Sequence, residues 1–307
     1  MPSLGDAYEF ECFLGQFRAN HIVDEIVKNT DKSADATREQ FDVYLNEAKL
    51  GFSFLQRHLC DDKANRILEI GAGLRIVSMY LSNRGYDVTA LEPIGKGFSF
   101  FDVAGDVLWE ATNAPRPHRI NEPANVLRRE EHGEFDFIFS IHVLEHIDNL
   151  DDAIEALCAV MSPSGKMVHL CPNYAFPYEP HFGIPLIPWM PRLSRKLLIS
   201  DREIDDELWN SLNFITARKI KRMLSRRGFD PKFVPGVMSQ FIHRYKDDEL
   251  FAKRHNNSVM HSLINLTTLL HLEKLIDLLP AEFLTPMEFS ATRIKAEASC
   301  ANTNAPN

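Results

Sequence analysis

Short apolar stretches alternate with segments of helical apolar spacing along most of the chain. Residues 66–70 and 135–140 are compact apolar runs of the kind that form strands buried on both faces. Residues 76–81 and 151–161 instead repeat apolar positions at helical spacing. This alternation predicts an α/β fold with a parallel, doubly wound sheet. The predicted strands are 66–70, 87–92, 135–140, 166–170, a segment near 232–234, and 288–294.

The chain before the first strand has a different pattern. Residues 8–60 carry two apolar stripes at helical spacing, and Thr37 is the predicted N-cap of the second helix. We therefore predict a helical cap over residues 1–60, followed by one α/β domain over residues 61–295. The remaining predictions are helical or lid insertions at 171–215 and 245–280, and a disordered tail at 296–307.

Composition narrows the class of protein. The 307 residues include 45% hydrophobic and 25% charged residues, which is ordinary for a globular domain. The net charge of the chain is −9, which argues against the basic surface that nucleic-acid binding needs. The basic stretch 218–227 has the spacing of a solvated helix face. Five scattered cysteines without a CxxC pair favour a reducing, cytoplasmic location. No apolar run approaches the roughly 20 residues that would insert stably into a membrane.

A glycine turn follows the first predicted strand. Gly71 and Gly73 allow a sharp turn and a close approach of a ligand to the backbone, at the start of the next helix. The dinucleotide fingerprint would place a third glycine at Ile76, so an NAD-dependent oxidoreductase is disfavoured. Glu69, before the turn, can receive a cationic amino group directly or through water. Glu92, about 20 residues beyond the turn, suits the two hydroxyls of a ribose.

The motifs around this turn resemble those of a known family. Residues 68–73 are similar to motif I of class I S-adenosylmethionine-dependent methyltransferases, and residues 91–93 resemble the end of their second strand. Residues 135–147 resemble their fourth strand and its continuation, and residues 162–166 resemble the turn before their fifth strand. The resemblance implies a Rossmann-like seven-stranded sheet with N-terminal helices and helical insertions in the C-terminal half. It also implies S-adenosylmethionine as the cofactor.

The same resemblance implies roles for individual residues. Gly71, Ala72 and Gly73 would approach the amino-acid part of the cofactor, with Glu69 beside them and Glu92 on the ribose. The family's third glycine is Arg75 in this sequence. Its side chain could pair with the methionine carboxylate of the cofactor, but we expect it to face solvent. The edge of the fourth strand would contribute three further cofactor contacts, from Ser140, Ile141 and His142.

Methyl transfer to a hydroxyl requires a base, and histidine is suited to that role near neutral pH. His181 and His142 are the candidates, since both follow strands of the predicted sheet. His169 lies within an apolar strand pattern and is predicted to be a core residue. His146 is predicted to be a structural capping residue.

The Pro- and aromatic-rich segment 171–183 follows the fifth strand and is predicted to border the acceptor pocket, unless it is a purely structural loop. Its candidate substrate-binding residues are Asn173, Tyr174, Tyr178 and Glu179.

A metal site is an alternative reading of the residues that follow the fourth strand. Related methyltransferases acting on polyprenyl-phenols or RNA ends hold magnesium with a Glu-x-x-Glu-His pattern, and His142, Glu145 and His146 have the same spacing. Magnesium prefers oxygen, so the histidine in the first position suits it poorly, and no bound metal is predicted.

The sequence therefore predicts an S-adenosylmethionine-dependent methyltransferase, with O-methylation of a small-molecule or glycan-type acceptor as the first hypothesis. N-methylation of a small molecule and a catalytically inactive methyltransferase-like scaffold are the alternatives. Residues 255–279 carry a leucine-rich helical pattern that could form a lid, a homodimer face or, least favoured, a surface for a lipid-linked acceptor.

Overall fold

The computed structural model describes residues 4–30, 33–59, 65–93, 99–112, 114–187, 190–198, 205–248, 251–252, 258–270 and 272–294. The predicted tail at 296–307 lies outside these residues.

A seven-stranded sheet organises the described part of the chain. Its order is β3-β2-β1-β4-β5-β9-β8, and β9 runs antiparallel to both of its neighbours while the other pairings are parallel. This is the Rossmann-like, doubly wound α/β arrangement that the sequence predicts. The strands are β1 Arg66–Ile70, β2 Asp87–Leu91, β3 His118–Ile120, β4 Phe135–Ile141, β5 Met161–Cys171, β8 Phe229–Phe233 and β9 Met287–Arg293, and a separate two-stranded ribbon pairs β6 Tyr178–Glu179 with β7 Ile184–Pro185.

Helices cover both faces of the sheet, as parallel strands require. On one face, Phe10 and Phe52 from the N-terminal helices pack against Tyr80. On the other face, Ile154 and Leu157 pack in one buried cluster with the sheet. The helices are α1 Leu4–Gly15, α2 Asn20–Lys28, α3 Ala34–Leu55, α4 Ile76–Asn83, α5 Ser99–Glu110, α6 Arg129–His132, α7 Leu150–Val160, α8 Pro191–Leu198, α9 Asp206–Ser211, α10 Ala217–Arg226, α11 Val237–Asp247, α12 Ser258–Leu269 and α13 Glu273–Ile276.

The N-cap of α3 differs from the prediction. Ser33 has extended backbone geometry and its side chain accepts a hydrogen bond from the backbone N–H of Ala36. Thr37, the predicted cap, lies inside the helix with its side chain buried. The prediction was wrong because the apolar stripe that suggested the boundary begins at Phe41, one turn after the helix itself has begun.

The leucine-rich pattern over 255–279 forms α12 and α13 where the structure describes it. Leu269, Leu275 and Leu278 are exposed. None of the described helices is long and apolar enough to cross a membrane.

Candidate functional site

The candidate site lies at the carboxyl ends of β1, β2 and β4. The chain leaves β1 to form β2 and β3 on one side, then returns to form β4 on the other side. The crevice between neighbouring strands whose connections diverge is where open α/β sheets bind ligands. The topology therefore places the residues after Ile70, Leu91 and Ile141 around one crevice.

The glycine turn between β1 and α4 is left-handed at both glycines. Gly71 has a φ of 66° and Gly73 a φ of 49°. The N–H groups of Gly71 and Ala72 donate to the carbonyl of Leu91, at 2.8 and 3.1 Å. A Cβ on Gly71 would lie 2.4 Å from a methyl carbon of Val143, so only glycine fits there.

Glu92 lies beside this turn, after β2. Its Oε2 atom accepts a hydrogen bond of 2.8 Å from the backbone N–H of Gly73. Burial is the main cause that raises the pKa of the Glu92 carboxyl. Gly73 and Glu92 both line one open cleft, together with Phe101 and Asn121. A carboxylate, an aromatic ring and a glycine backbone thus face the same cleft.

Arg75 does not face solvent, contrary to the expectation. It has a left-handed backbone, with φ 61° and ψ 21°, so it adopts the conformation usually reserved for glycine. Its side chain is buried, and its guanidinium donates to Asp106 and to the backbone carbonyl of Asp102 on α5. Gly105 makes room for it, since a Cβ there would lie 2.3 Å from the guanidinium. Arg75 thereby links the glycine turn to α5.

Glu69 contacts the start of α4 behind the turn. Its Oε2 atom accepts hydrogen bonds from the hydroxyl of Ser78 and, at 3.1 Å, from the backbone N–H of Ser78. Burial raises the pKa of Glu69 to about 8, although the bonds from Ser78 act in the opposite direction. The carboxyl group is therefore poised to become charged when a cation approaches it.

The end of β4 brings Ser140, Ile141 and His142 to the crevice. The Ser140 hydroxyl lies 2.7 Å from Nδ1 of His169, so this side chain is used within the sheet. His169 is fully buried, as predicted for a core residue, and burial lowers its pKa to about 3. Ile141 contacts Gly51 of α3, where a Cβ would lie 2.5 Å from its terminal methyl.

His142 has a left-handed backbone with a φ of 54°, an uncommon conformation for a residue with a side chain. Its backbone N–H donates to the carbonyl of Leu170 at 2.8 Å, which holds the strained residue at the end of the strand. The side chain is about one third exposed, and its Nδ1 lies 3.8 Å from Oε1 of Glu145. Strain of this kind is concentrated at functional positions.

Two histidines meet beyond His142. The ring centroids of His146 and His181 lie 5.0 Å apart, and the rings are arranged edge to face. Nδ1 of His181 lies 2.6 Å from Oε1 of the fully buried Glu179, and Nδ1 of His146 lies 3.0 Å from the hydroxyl of Ser211. Each ring is therefore oriented through its Nδ1 by a second side chain.

Glu145 lies next to these rings and is fully buried. Neither of its carboxylate oxygens has a hydrogen-bond partner among the described residues. Burial raises its pKa to about 7, and burial also lowers the pKa of His146 to about 4. His146 was predicted to be a helix cap, but the N-cap of α7 is Asn149, whose side chain accepts from Asp152.

The segment after α9 is fixed to the turn that carries Glu145. The side-chain amide of Asn213 donates to the carbonyls of Leu144 and Ile147, at 2.6 and 2.9 Å. The backbone N–H of Asn213 donates to the carbonyl of Glu145 at 2.9 Å. Ser211 and Asn213 thus contribute to the surroundings of the two histidines.

Asn173 is fully buried, and its side chain is used by the protein itself. Its amide nitrogen donates to the carbonyls of Glu282 and Leu284, and its amide oxygen accepts from the backbone N–H groups of Ala175 and Ala217. These bonds join the strand-five loop to α10 and to the segment before β9, which favours a structural role for this residue.

Glu179 contacts His181, and Tyr174 contacts Glu179 in turn. Tyr174 is buried and its hydroxyl donates to Glu179 at 3.2 Å. Tyr178 is also buried, and its hydroxyl has no hydrogen-bond partner among the described residues. Of these predicted substrate contacts, Tyr178 has a hydroxyl that no described residue bonds, while Glu179 orients His181.

Sequence reasoning missed the meeting of Glu145, His146 and His181. The spacing of Glu145 and His146 is visible in the sequence. His181, however, comes from the β6–β7 ribbon, and no local signal shows where that ribbon folds back.

The fold and the site together define a class I methyltransferase-type α/β domain, with a glycine turn and an acidic residue at the switch point of the sheet. A family model described as a methyltransferase domain matches residues 41–231. The match spans more than half of the chain, so the chain belongs to this methyltransferase family.

Two curated relatives come from strains of Mycobacterium tuberculosis, and both are described as uncharacterised proteins. Each is 37% identical over 194 residues, which is 61% of this chain and 65% of the relative. The match therefore spans just under two thirds of the length of these relatives.

Solved structures to which this chain is similar include phosphoethanolamine N-methyltransferase 2 of Haemonchus contortus in complex with S-adenosyl-L-methionine. It is 14% identical, with a TM-score of 0.49, over 80% of this chain and 52% of that one. An S-adenosylmethionine-dependent methyltransferase of Mesorhizobium loti is 14% identical, with a TM-score of 0.49, over 79% and 97% of the two chains.

Proposed function

We propose that this chain transfers the methyl group of S-adenosylmethionine to an oxygen of a small-molecule or glycan-type acceptor. The observation that carries the cofactor assignment is the cleft that Gly73 and Glu92 share at the carboxyl ends of β1 and β2. Glu92 would accept hydrogen bonds from the ribose hydroxyls, and the turn from Gly71 to Gly73 would lie against the amino-acid part of the cofactor. Glu69 would balance its ammonium group, directly or through water.

The acceptor would bind on the side of His142, next to the methyl group of the bound cofactor. Methyl transfer is an in-line displacement, in which the acceptor oxygen forms a bond to the methyl carbon as the carbon–sulfur bond breaks. The neutral thioether of S-adenosylhomocysteine leaves with the bonding electrons. A hydroxyl acceptor also loses its proton, and His142 or His181 would receive it.

Location and assembly remain predictions. We retain a cytoplasmic location and a homodimer face that includes the exposed leucines of α12 and α13 as hypotheses.

Calorimetric titration with S-adenosylhomocysteine tests the cofactor assignment. We expect the wild-type protein to bind with one site, and Glu92→Gln to bind about 10–100-fold more weakly, because charge-assisted hydrogen bonds to the ribose become neutral ones. Glu122→Gln is the matched control, since Glu122 is exposed on the neighbouring loop. Absence of binding heat in the wild-type protein would refute the cofactor assignment and favour the scaffold hypothesis.

Incubation with S-adenosylmethionine labelled with ¹³C in its methyl group tests the acceptor chemistry, against a panel of phenols, sugars and primary amines. The carbon chemical shift of the transferred methyl distinguishes an O–CH₃ product from an N–CH₃ product. We expect O–CH₃, and we expect the variant that removes the base, His142→Ala or His181→Ala, to lower kcat by about 10²–10⁴-fold. Exclusive N–CH₃ formation would refute the O-methylation hypothesis, and an unchanged kcat would remove that histidine from the mechanism.

A further inference from the structure

We infer that Glu145, His146 and His181 form a binding site for a divalent transition metal of the zinc class. One donor atom from each of these residues can be chosen so that all three lie within 4.8 Å of one another. Three donors that each lie about 2.0–2.2 Å from one ion are about 3.3–3.8 Å from one another. Side-chain rotations that bring the donors closer by about 1–1.5 Å would therefore close the site.

The buried carboxylate is the first reason to expect an ion. Glu145 is fully buried, and neither of its oxygens has a hydrogen-bond partner among the described residues. A buried carboxyl group without a partner is costly, so buried polar groups normally have one. Its nearest titratable neighbours are His142 at 3.8 Å and the ring pair of His146 and His181, with Glu179 behind His181. A cation between these groups would give both carboxylate oxygens a partner.

The orientation of the two rings is the second and independent reason. Histidine ligands usually form a hydrogen bond from the second ring nitrogen to a carboxylate, a carbonyl or another polar group, which fixes the ring and raises its basicity. Nδ1 of His181 is bonded to Glu179 and Nδ1 of His146 to Ser211. This arrangement assigns the Nε2 atom of each ring to the metal.

The donor set selects the kind of ion. Two imidazole nitrogens and one carboxylate suit zinc and neighbouring transition metals, whereas magnesium prefers oxygen ligands only. Three protein ligands also leave a coordination position open, as in catalytic rather than structural zinc sites. His142 lies next to Glu145 at the edge of this site. If His181 is a ligand of the metal, His142 is the remaining candidate for the proton acceptor. This assignment of His142 rests on the proposed function, whereas the metal site does not.

Metal content provides a test that does not depend on turnover. The full chain, free of any histidine tag and stripped with a chelator, is dialysed against Zn²⁺ and measured by mass spectrometry of the metal. We expect about one zinc ion per chain, and a loss of at least 10-fold in zinc affinity in His181→Ala. Glu179→Gln should weaken zinc binding by about 10–100-fold, because it changes the group that orients the His181 ring.

Two further measurements keep the result interpretable. Glu145→Gln removes the charge from a buried residue, so circular dichroism is used to check that this variant folds. His181 lies on a partly exposed ribbon, so His181→Ala is the variant to use if Glu145→Gln does not fold. His118→Ala is the matched control, since His118 is exposed and distant in sequence, and it should retain one zinc ion. Cobalt in place of zinc should give visible absorption bands that the His181 variant lacks.

The inference is overturned if the wild-type chain retains no zinc, or if zinc and cobalt bind equally well to the wild-type, His181→Ala and Glu145→Gln proteins. Titration with S-adenosylhomocysteine is carried out on the same samples. If the protein binds the cofactor but no zinc, the metal site is refuted and the proposed function stands. If it binds zinc but no cofactor, the proposed function is refuted and the metal site stands.

Discussion

Gly71→Ala is expected to lower the free energy of unfolding by about 2–5 kcal/mol and to abolish detectable cofactor binding. Two costs add at this position. A residue with a Cβ pays about 1–2 kcal/mol in the left-handed conformation, and the φ of Gly71 is 66°. The new Cβ would also lie 2.4 Å from a methyl carbon of Val143, and overpacking of this kind costs about 1–3 kcal/mol. Urea unfolding gives the free energy, and calorimetry gives the affinity.

Gly85→Ala is the matched control for this variant. Gly85 also has a left-handed backbone, with a φ of 87°, but a Cβ there would meet nothing within 4 Å. We expect it to lose only the conformational term and to bind the cofactor normally. The double variant Gly71→Ala, Val143→Ala should recover part of the loss, which a double-mutant cycle measures. Equal destabilisation by Gly71→Ala and Gly85→Ala would contradict the packing argument.

The doubly wound α/β class and the position of the glycine turn could be predicted because their signals are local. The run from Arg66 to Gly73 contains a buried strand and the glycines that end it, and Glu92 follows at the end of the next strand. Parallel strands bring these ends together, so sequence spacing was sufficient to place them.

The surroundings of Arg75 could not be predicted in the same way. In the sequence, Arg75 is an arginine beside a glycine turn, and exposure is the usual state of such a residue. Its burial depends on Asp106 and Gly105, which are about 30 positions away on α5. The contact between His181 and His146 could not be predicted for the same reason. It depends on how the β6–β7 ribbon folds over the turn after β4, which is distant in sequence.

The predicted division into a helical cap at 1–60, a methyltransferase domain at 61–295 and insertions at 171–215 and 245–280 remains a prediction. Two contacts bear on how these parts depend on one another. Ile141 at the end of β4 packs on Gly51 of α3, and Asn213 holds the turn that carries Glu145. Residues from both the cap and the first insertion thus support the end of β4, where His142 is strained.

The stability of the cofactor-free protein should depend on pH through Glu69. The folded pKa is about 8 and the ordinary value is 4.5, so the folded state holds a proton that the unfolded state has released between these two values. The contribution of Glu69 to the free energy of unfolding is therefore fully present below pH 4.5, and it is lost as the pH rises toward 8. At 1.36 kcal/mol for each pKa unit, the loss is roughly 3–5 kcal/mol.

Glu69→Gln separates this contribution from the background, because glutamine keeps the shape of the protonated carboxyl group and cannot ionise. Relative to the wild type, the variant should gain roughly 3–5 kcal/mol in unfolding free energy between pH 4.5 and pH 8, measured by urea unfolding without cofactor. The exposed variant Glu122→Gln should show no such gain. If the cofactor's ammonium group lies near Glu69, binding at pH 7 should also release a proton in the wild type and not in Glu69→Gln, which calorimetry in buffers of different ionisation enthalpy detects. Parallel stability curves for the two proteins would mean that Glu69 is already ionised in the folded state.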